Sequence, residues 1–471
     1  MVISDGNNIK SEIKNKYFGT DGFRGEANID LTSYQAYRIG RFIGWYFGKR
    51  KQPGEKSKIL IGKDTRRSSY MLEYSLIAGI TASGADAYML HVTTTPSVSY
   101  ITRCDGFDCG VMITASHNPF YDNGIKIISS HGEKLDDATA SLIEAYIDED
   151  YERLGLNGDI PFALRENVGS IIDYTAGRNR YIGYLISVAS HSYKKLRIGL
   201  DCANGASFSI ARSVFDALGA QLYLTGCVPD GLNINKNVGS THIENLISLV
   251  RKNHLDIGFA FDGDADRCIA VDENGNVVDG DIILYILANR LKERGSLDGN
   301  KLVTTVMSNA GLFHALDKVG IQYEKTAVGD RYVYECMQNN SYALGGEQSG
   351  HVIIKKYATT GDGILTALMI TEQICDKESP LSLLSRPVSL YPQMTKSVYV
   401  KSKDQVINDK DIKALLDKIT LELNGNGRIL LRKSGTEPVM RIMAECKSEE
   451  KCKEYIASIT MLMKEKGYIS E

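Results

Sequence analysis

The sequence predicts an α/β protein of several similar units in series, closed by a smaller α+β unit. Three observations carry this reading. At 471 residues, with 43% hydrophobic and 24% charged side chains, the chain exceeds what one hydrophobic core organises. Apolar strand patterns run three times into polar, Asp-bearing loops, with helical patterns between them. Near the C-terminus, the prolines from Pro380 to Pro392 break a helical pattern before an extended one restarts at Ser397 to Val400.

Taken in order, Met1 to Lys16 is polar and lacks the apolar run of a signal peptide, so a cytoplasmic location is expected. The strand Lys58-Ile-Leu-Ile-Gly-Lys-Asp64 leads to a helical pattern at Met71 to Gly79, and a β-rich run follows at Gly110 to Ile113. Asn157-Gly-Asp-Ile-Pro161 reads as a linker after an acidic helical stretch and bounds a first unit, residues 1–160. The second unit, 161–276, holds the strand Leu196-Arg-Ile-Gly-Leu-Asp201, the helical pattern Ile210 to Leu218 and the strand Asp256-Ile-Gly-Phe-Ala-Phe-Asp262. It ends at the turn Glu273-Asn-Gly-Asn276, after the strand Cys268 to Val271. The third, 277–387, opens on the apolar stretch Ile282 to Leu287, too short to span a bilayer, and includes the strand Val352 to Ile354. Residues 388–471 form the small final unit. Sheets in such α/β units place ligands at the carboxyl ends of strands, where the three aspartates stand.

Composition excludes several classes. A net charge of −3 leaves no basic footprint for nucleic acid. Nine cysteines, scattered from Cys104 to Cys452 without CxxC pairs, read as reduced thiols rather than a metal knuckle or a disulfide framework.

Four polar loops carry the chemistry. Thr114-Ala-Ser-His-Asn-Pro119 follows a strand and ends at proline; its bland reading is a turn, and Ser116 and His117, as neighbours, need not form a nucleophile–base pair. A phosphorylated serine needs a metal or cations to balance its charge, and Lys126 is one candidate. Asp262-Gly-Asp-Ala-Asp-Arg267 places three carboxylates at alternate positions, which repel one another without a cation and, being oxygen ligands, suit Mg²⁺. Its spacing to Glu273 imitates a calcium hand, but Arg267 stands where that loop needs glycine and strands flank it. Gly345-Gly-Glu-Gln-Ser-Gly-His351 alternates Glu347, Ser349 and His351, which share one face if the segment is extended. Arg432-Lys-Ser-Gly-Thr-Glu-Pro438, with Arg441 after it, combines cations, hydroxyls and glycine as an anion cradle does.

In this order and over this length, the four loops resemble those of the α-D-phosphohexomutase superfamily. The resemblance covers essentially the whole chain. It implies three similar α/β domains with mixed sheets plus a smaller C-terminal α+β domain, arranged around a central cleft to which each gives one loop. It implies that Ser116 is the phosphorylated serine and a metal ligand beside Asp262, Asp264 and Asp266, with one Mg²⁺ per active site. Glu347 and Ser349 resemble readers of sugar hydroxyls; Arg432, Ser434, Gly435, Thr436 and Arg441 resemble the phosphate cradle. Arg24 of Phe18-Gly-Thr-Asp-Gly-Phe-Arg-Gly25, with His117, Lys126, Arg267 and His351, matches positions near the reacting phosphate.

Phe18-Gly-Thr-Asp-Gly22, Asn233-Ile-Asn235 with Gly239-Ser-Thr-His242, Gly329-Asp-Arg-Tyr-Val333 and Thr359-Thr-Gly-Asp-Gly363 resemble the bacterial branch that acts on an amino sugar. Val238, where that branch usually has Cys, and Ala265, where Gly is frequent, depart from it. This resemblance implies interconversion of glucosamine 6-phosphate and glucosamine 1-phosphate through glucosamine 1,6-bisphosphate, for UDP-N-acetylglucosamine and cell-wall synthesis. Its partners would be small sugar phosphates, without nucleic acid or membrane, in a monomer or homodimer. The alternatives are a phosphoglucomutase or phosphomannomutase with the same mechanism, and more distantly a sugar-phosphate-binding protein without turnover.

Overall fold

A computed structural model describes residues 16–19, 21–434 and 439–470. Four sheets follow one another along the chain. The first contains β1 (Phe18–Gly19), β2 (Gly22–Glu26), β3 (Lys58–Lys63), β4 (Asp86–Val92), β5 (Cys109–Ile113), β6 (Asp122–Ser129) and β7 (Ile171–Asp173) in the order β1-β2-β6-β5-β3-β4-β7. The second has β8 (Arg197–Asp201), β9 (Gln221–Thr225), β10 (Ile257–Phe261), β11 (Cys268–Asp272) and β12 (Val277–Val278) in the order β12-β11-β10-β8-β9. The third has β13 (Lys301–Thr305), β14 (Gln322–Thr326), β15 (Leu344–Gly346) and β16 (Val352–Ile354) in the order β14-β13-β15-β16. The last is an antiparallel sheet of β17 (Gln393–Tyr399), β18 (Gly427–Lys433) and β19 (Val439–Cys446) with β19 central.

The first three sheets share one plan. In each, three strands pair in parallel, the third strand of the set lying beside the first: β3, β4, β5; β8, β9, β10; β13, β14, β15. The third strand then turns back into an antiparallel partner, β6, β11 or β16. Three of the four sequence motifs occupy that one turn: Ser116 between β5 and β6, the aspartates between β10 and β11, Glu347 between β15 and β16. Mixed sheets follow directly, since the hairpin adds an antiparallel strand to a parallel core.

Local sequence explains the elements. β5 and β10 are buried at every residue, as central strands covered on both faces must be. Helix Ser33–Gly48 starts at a Thr32–Gln35 capping box and crosses helix Arg67–Ala82 where a Cβ on Gly40 or Gly79 would lie 2.2 Å from a backbone oxygen of the other helix. Buried Lys63 pairs with buried Glu73 beneath this layer. The core of the first sheet gathers Ile39, Phe42, Ile59, Ile61, Leu76 and Val111.

One boundary differs from the sequence reading. Residues 171–173, expected in the second unit, extend the first sheet as β7, parallel to β4. The Asn157–Pro161 turn does not end that unit because the edge of β4 is open to another strand and the Ser170 N–H reaches Asp86 Oδ1 at 2.7 Å. The helix Ala310–Lys318, which connects β13 to β14 of the third unit, packs in one compact body with residues 387–470. Within that body Ala310 N–H donates to buried Glu445 at 2.9 Å, and Asn309 Nδ2 donates to Tyr391 O at 2.9 Å. No described helix is long and apolar enough to cross a membrane. All nine cysteines are free thiols.

Candidate active site

Ser116 sits just past β5 in the left-handed region, at φ +51°, and is 1% exposed. Thr114 Oγ1 accepts the Ser116 N–H at 2.9 Å, closing the tight turn. A non-glycine residue held there stores roughly 1 kcal/mol, and the turn aims the hydroxyl across to the next sheet. Ser116 Oγ donates to Asp262 Oδ2 at 2.5 Å. It also lies 3.3 Å from His117 Nδ1, so these neighbours do meet around the turn. Burial, then Arg267 and Arg24, lower the His117 pKa to about 4, leaving the ring neutral near pH 7.

Asp262, Asp264 and Asp266 are all buried, and each offers an oxygen within 4.8 Å of the others. Thr95 Oγ1 and Lys126 Nζ hold Asp264 Oδ2 at 2.6 and 2.8 Å, while the buried Oδ1 atoms of Asp264 and Asp266 have no hydrogen-bond partner. Oxygen donors that converge and stay unsatisfied fit a hard divalent cation. Without one, burial, then Asp266 and Asp264, push the Asp262 pKa well above the carboxylate range. The flanking strands β10 and β11 pair antiparallel, which disposes of the calcium-hand reading. Ala265 adopts φ +56°, the conformation that explains why glycine suits this place.

Cations surround the triad. Lys126 on β6 lies 3.1, 2.8 and 3.5 Å from Asp21, Asp264 and Asp266. Burial opposes its charge, but these carboxylates outweigh it and raise its pKa, so Lys126 stays protonated in this arrangement. Arg24 on β2 pairs with Asp21. Arg267 donates its N–H to Asp262 Oδ1 at 3.2 Å and bridges His351 in antiparallel fashion, so the second and third sheets meet at the site.

The Glu347 segment is a hairpin turn, not the extended stretch expected. Gly350 N–H returns to Glu347 O and Glu347 N–H donates to His351 O, both at 3.0 Å. Gly350, at φ +90°, makes the reversal that alternation alone did not reveal. Glu347 and His351 therefore oppose each other across the turn, while Ser349 at its tip is exposed. Gly329 N–H donates to Glu347 Oε1 at 3.1 Å, orienting the carboxylate. His351 Nδ1 faces Asp266 at 3.7 Å, and Nε2 accepts the Gly361 N–H at 3.0 Å. Burial disfavours charge on His351, whereas Asp266, Asp330 and Glu347 draw its pKa up to about 9. The Gly361 bond needs a lone pair on Nε2, so whenever the ring is neutral this contact places its hydrogen on Nδ1, facing Asp266.

Arg432 on β18 and Arg441 on β19 stand directly opposite in register. Burial, then Arg441, lower the Arg432 pKa: like charges face one another where an anion would relieve them. Ser434 is buried, with its N–H on Val439 O at 3.0 Å. Gly435 and Thr436 lie outside the described residues.

Sequence reasoning missed Thr95, Asp21, Lys134 and Asp330. Lys134 extends the charge chain from Lys126, reaching Asp21 at 2.7 Å and Asp330 at 2.5 Å. Only the Asp21 and Asp330 motifs carried a signal, as marks of a branch rather than as charges. Asp64 and Asp201, which end strands as Asp262 does, join no metal set: Asp64 pairs with Arg66, and Asp201 accepts the N–H groups of Ala203 and Gly239 at 3.0 and 2.9 Å.

Four family models match in chain order: phosphoglucomutase/phosphomannomutase alpha/beta/alpha domain I over residues 15–154, domain II over 179–275, domain III over 279–391 and the C-terminal domain over 397–461. The phosphoglucosamine mutase of Lachnospira eligens is 59% identical over 453 residues, covering 96% of this chain and 99% of that protein. The phosphoglucosamine mutase of Bacillus subtilis is 46% identical over 449 residues, covering 95% and 98%. In structure, the chain resembles a family protein of Burkholderia thailandensis (TM-score 0.76, 22% identity, covering 94% and 96%). It also resembles Aspergillus fumigatus N-acetylphosphoglucosamine mutase, solved with GlcNAc-6P and magnesium (TM-score 0.65, 17% identity, covering 95% of each). With all four domains in order and such identity along its length, the chain belongs to the phosphoglucomutase/phosphomannomutase family, among its phosphoglucosamine mutases.

Proposed function

We propose that this enzyme interconverts glucosamine 6-phosphate and glucosamine 1-phosphate in the cytoplasm, with Ser116 as the phosphate carrier. The observation that carries the reading is Ser116 Oγ at 2.5 Å from Asp262, inside a buried carboxylate triad. In the first transfer the Ser116 Oγ–P bond breaks and an O–P bond forms at the free sugar hydroxyl, whose proton passes through a nearby base to Ser116 Oγ, giving glucosamine 1,6-bisphosphate and the Ser116 hydroxyl. In the second, the other phosphate returns to Ser116, and the isomer leaves.

Asp262, Asp264 and Asp266 would hold Mg²⁺, which when bound supplies positive charge at the transferring phosphoryl group. Arg24, Arg267 and Lys126 add fixed cations there, which matters because electrostatic stabilisation dominates this chemistry. Lys126, protonated, serves as a charge donor. His117, neutral and 3.3 Å from Ser116 Oγ, is the group suited to take or return the serine proton. Glu347, Ser349 and His351 read the sugar, and Arg432, Ser434, Gly435, Thr436 and Arg441 hold the phosphate that is not reacting. Relatives named for this activity along the whole chain support the amino sugar as substrate.

The test is intact mass and mutase turnover of wild type and Ser116→Ala. Wild type should carry one phosphate and turn over; Ser116→Ala should do neither, and an active Ser116→Ala rules out the mechanism. A side-by-side kcat/KM comparison with glucose and mannose phosphates tests the substrate.

A further inference from the structure

A serine that gives and regains phosphate in every cycle must return to one position, yet its backbone occupies a conformation that non-glycine residues leave readily. Something must grip that turn. Two carbonyls protrude from it, those of Ser116 and Asn118. Asn235 Nδ2 donates to both, at 2.8 and 3.0 Å, from a side chain only 6% exposed. Arg66 Nη2 adds bonds to the same oxygens at 3.2 and 2.6 Å, itself fully buried on Asp64. Only the amino end of an amide can face two acceptors at once.

Asn235 reaches the serine from the second sheet's side, on the segment between β9 and helix Glu244–Asn253. Its own backbone is left-handed at φ +59°, and its N–H is bound to Ala203 O at 2.8 Å. Ala203 belongs to the turn that Asp201 fastens. The metal loop leaves room for this junction: a Cβ on Gly263 would lie 2.5 Å from Ser116 O and 3.1 Å from Asn235 Nδ2. The serine turn, the Asn235 segment and the aspartate loop thus meet at one point.

We propose that Asn235 is a positioning residue for phosphoryl transfer: its amide fixes the Ser116 turn in register with the carboxylate triad. This rests on the phosphoserine reading above and adds to it the group that holds the carrier in place. The sugar contacts lie on other loops, so the consequence falls on turnover rather than on binding.

The test uses the full-length enzyme with Mg²⁺, comparing wild type, Asn235→Ala, Asn235→Asp and Ser116→Ala for kcat, KM and thermal midpoint. Asn235→Ala should lower kcat by about tenfold to a hundredfold, the scale of a misplaced reacting group, with KM within about twofold. Asn235→Asp keeps the shape but sets carboxylate oxygens against two carbonyls, so it should fall below Ala. A packing role predicts the reverse order, with the near-isosteric Asp the milder change. Wild-type kcat in Asn235→Ala, a loss confined to KM, or Asp outperforming Ala overturns the inference. Should Asp fail to fold, the kcat-against-KM split of the Ala variant decides alone. An active Ser116→Ala would instead overturn the phosphoserine reading, a result separable from either Asn235 outcome.

Discussion

Asp264→Asn should leave the metal-free enzyme at least as stable as wild type while removing its response to Mg²⁺. Breaking a buried ion pair ordinarily costs about 3–5 kcal/mol, and Asp264 is fully buried with Lys126 at 2.8 Å. Here the balance differs. Asp262, its pKa raised by burial, is not counted as a charge; Asp266 within 4.8 Å contributes a repulsion of about 3.5 kcal/mol at an effective dielectric of 20, and burying the Asp264 carboxylate costs several kcal/mol more. The lost attraction to Lys126 is about 6 kcal/mol on the same scale. The repulsion and the burial cost together match or exceed that attraction, so the melting midpoint should hold or rise by about 1–3 °C. The amide oxygen keeps the Thr95 and Lys126 hydrogen bonds, and its NH₂ points where the orphaned Oδ1 was.

The assay is thermal unfolding in chelator and in Mg²⁺. Wild type should gain about 2.7 kcal/mol at a hundredfold excess over Kd, and Asp264→Asn far less. The pH dependence has a definite sign. Since Asp262 is raised above its unfolded value by burial and its two neighbours, the metal-free fold loses stability as pH climbs from the unfolded carboxyl range towards the folded pKa. Asp264→Asn should flatten that loss. A metal-free variant destabilised by several kcal/mol would refute the electrostatic balance and make Asp264 an ordinary structural pair.

Other expectations are equally direct. Ser116→Ala should abolish turnover and the covalent phosphate together, read by intact mass and mutase assay. Arg441→Gln removes a guanidinium that stands opposite Arg432 in register, so KM for the sugar phosphate should rise by about tenfold or more; an unchanged KM would take Arg441 out of the phosphate cradle. Lys63→Met strands the buried carboxylate of Glu73 and should cost about 3–5 kcal/mol in denaturant titration.

The site was legible where its chemistry is contiguous. Ser116 and the three aspartates each sit among residues whose types already suggest a role, and two hairpin turns bring them together. Legibility ended where a role depends on who arrives from elsewhere. Thr95 looks like any helix-starting hydroxyl until Asp264 appears beside it. Asp64 and Asp201 share with Asp262 the position at the end of an apolar strand, but β3 and β8 are followed by helical crossovers and β10 by a hairpin, so only the last aims at the serine. The alternation of Glu347, Ser349 and His351 misled because period two is equally compatible with a strand and with a tight turn between strands. The common plan of three sheets was faint because it is kept by strand order and the hairpin turn, while the side chains around it have diverged.

The hairpin turns do more than display catalytic groups. The aspartate and Glu347 turns accept main-chain hydrogen bonds from a different sheet's segment, Thr95 N–H to Asp264 O, Cys268 N–H to Gly350 O and Gly363 N–H to Ala265 O, all at 3.0 Å, and the Ser116 turn is tied across by the Asn235 amide. Three sheets tied at their active loops cannot melt independently without first dismantling the site. In a denaturant series, activity and the secondary-structure signal of residues 16–307 and 321–386 should then vanish in one transition, with a steep slope reflecting the surface of all three sheets. A newly made chain would likewise remain inert until its third sheet docks. The arrangement that aligns the reaction also acts as its quality control.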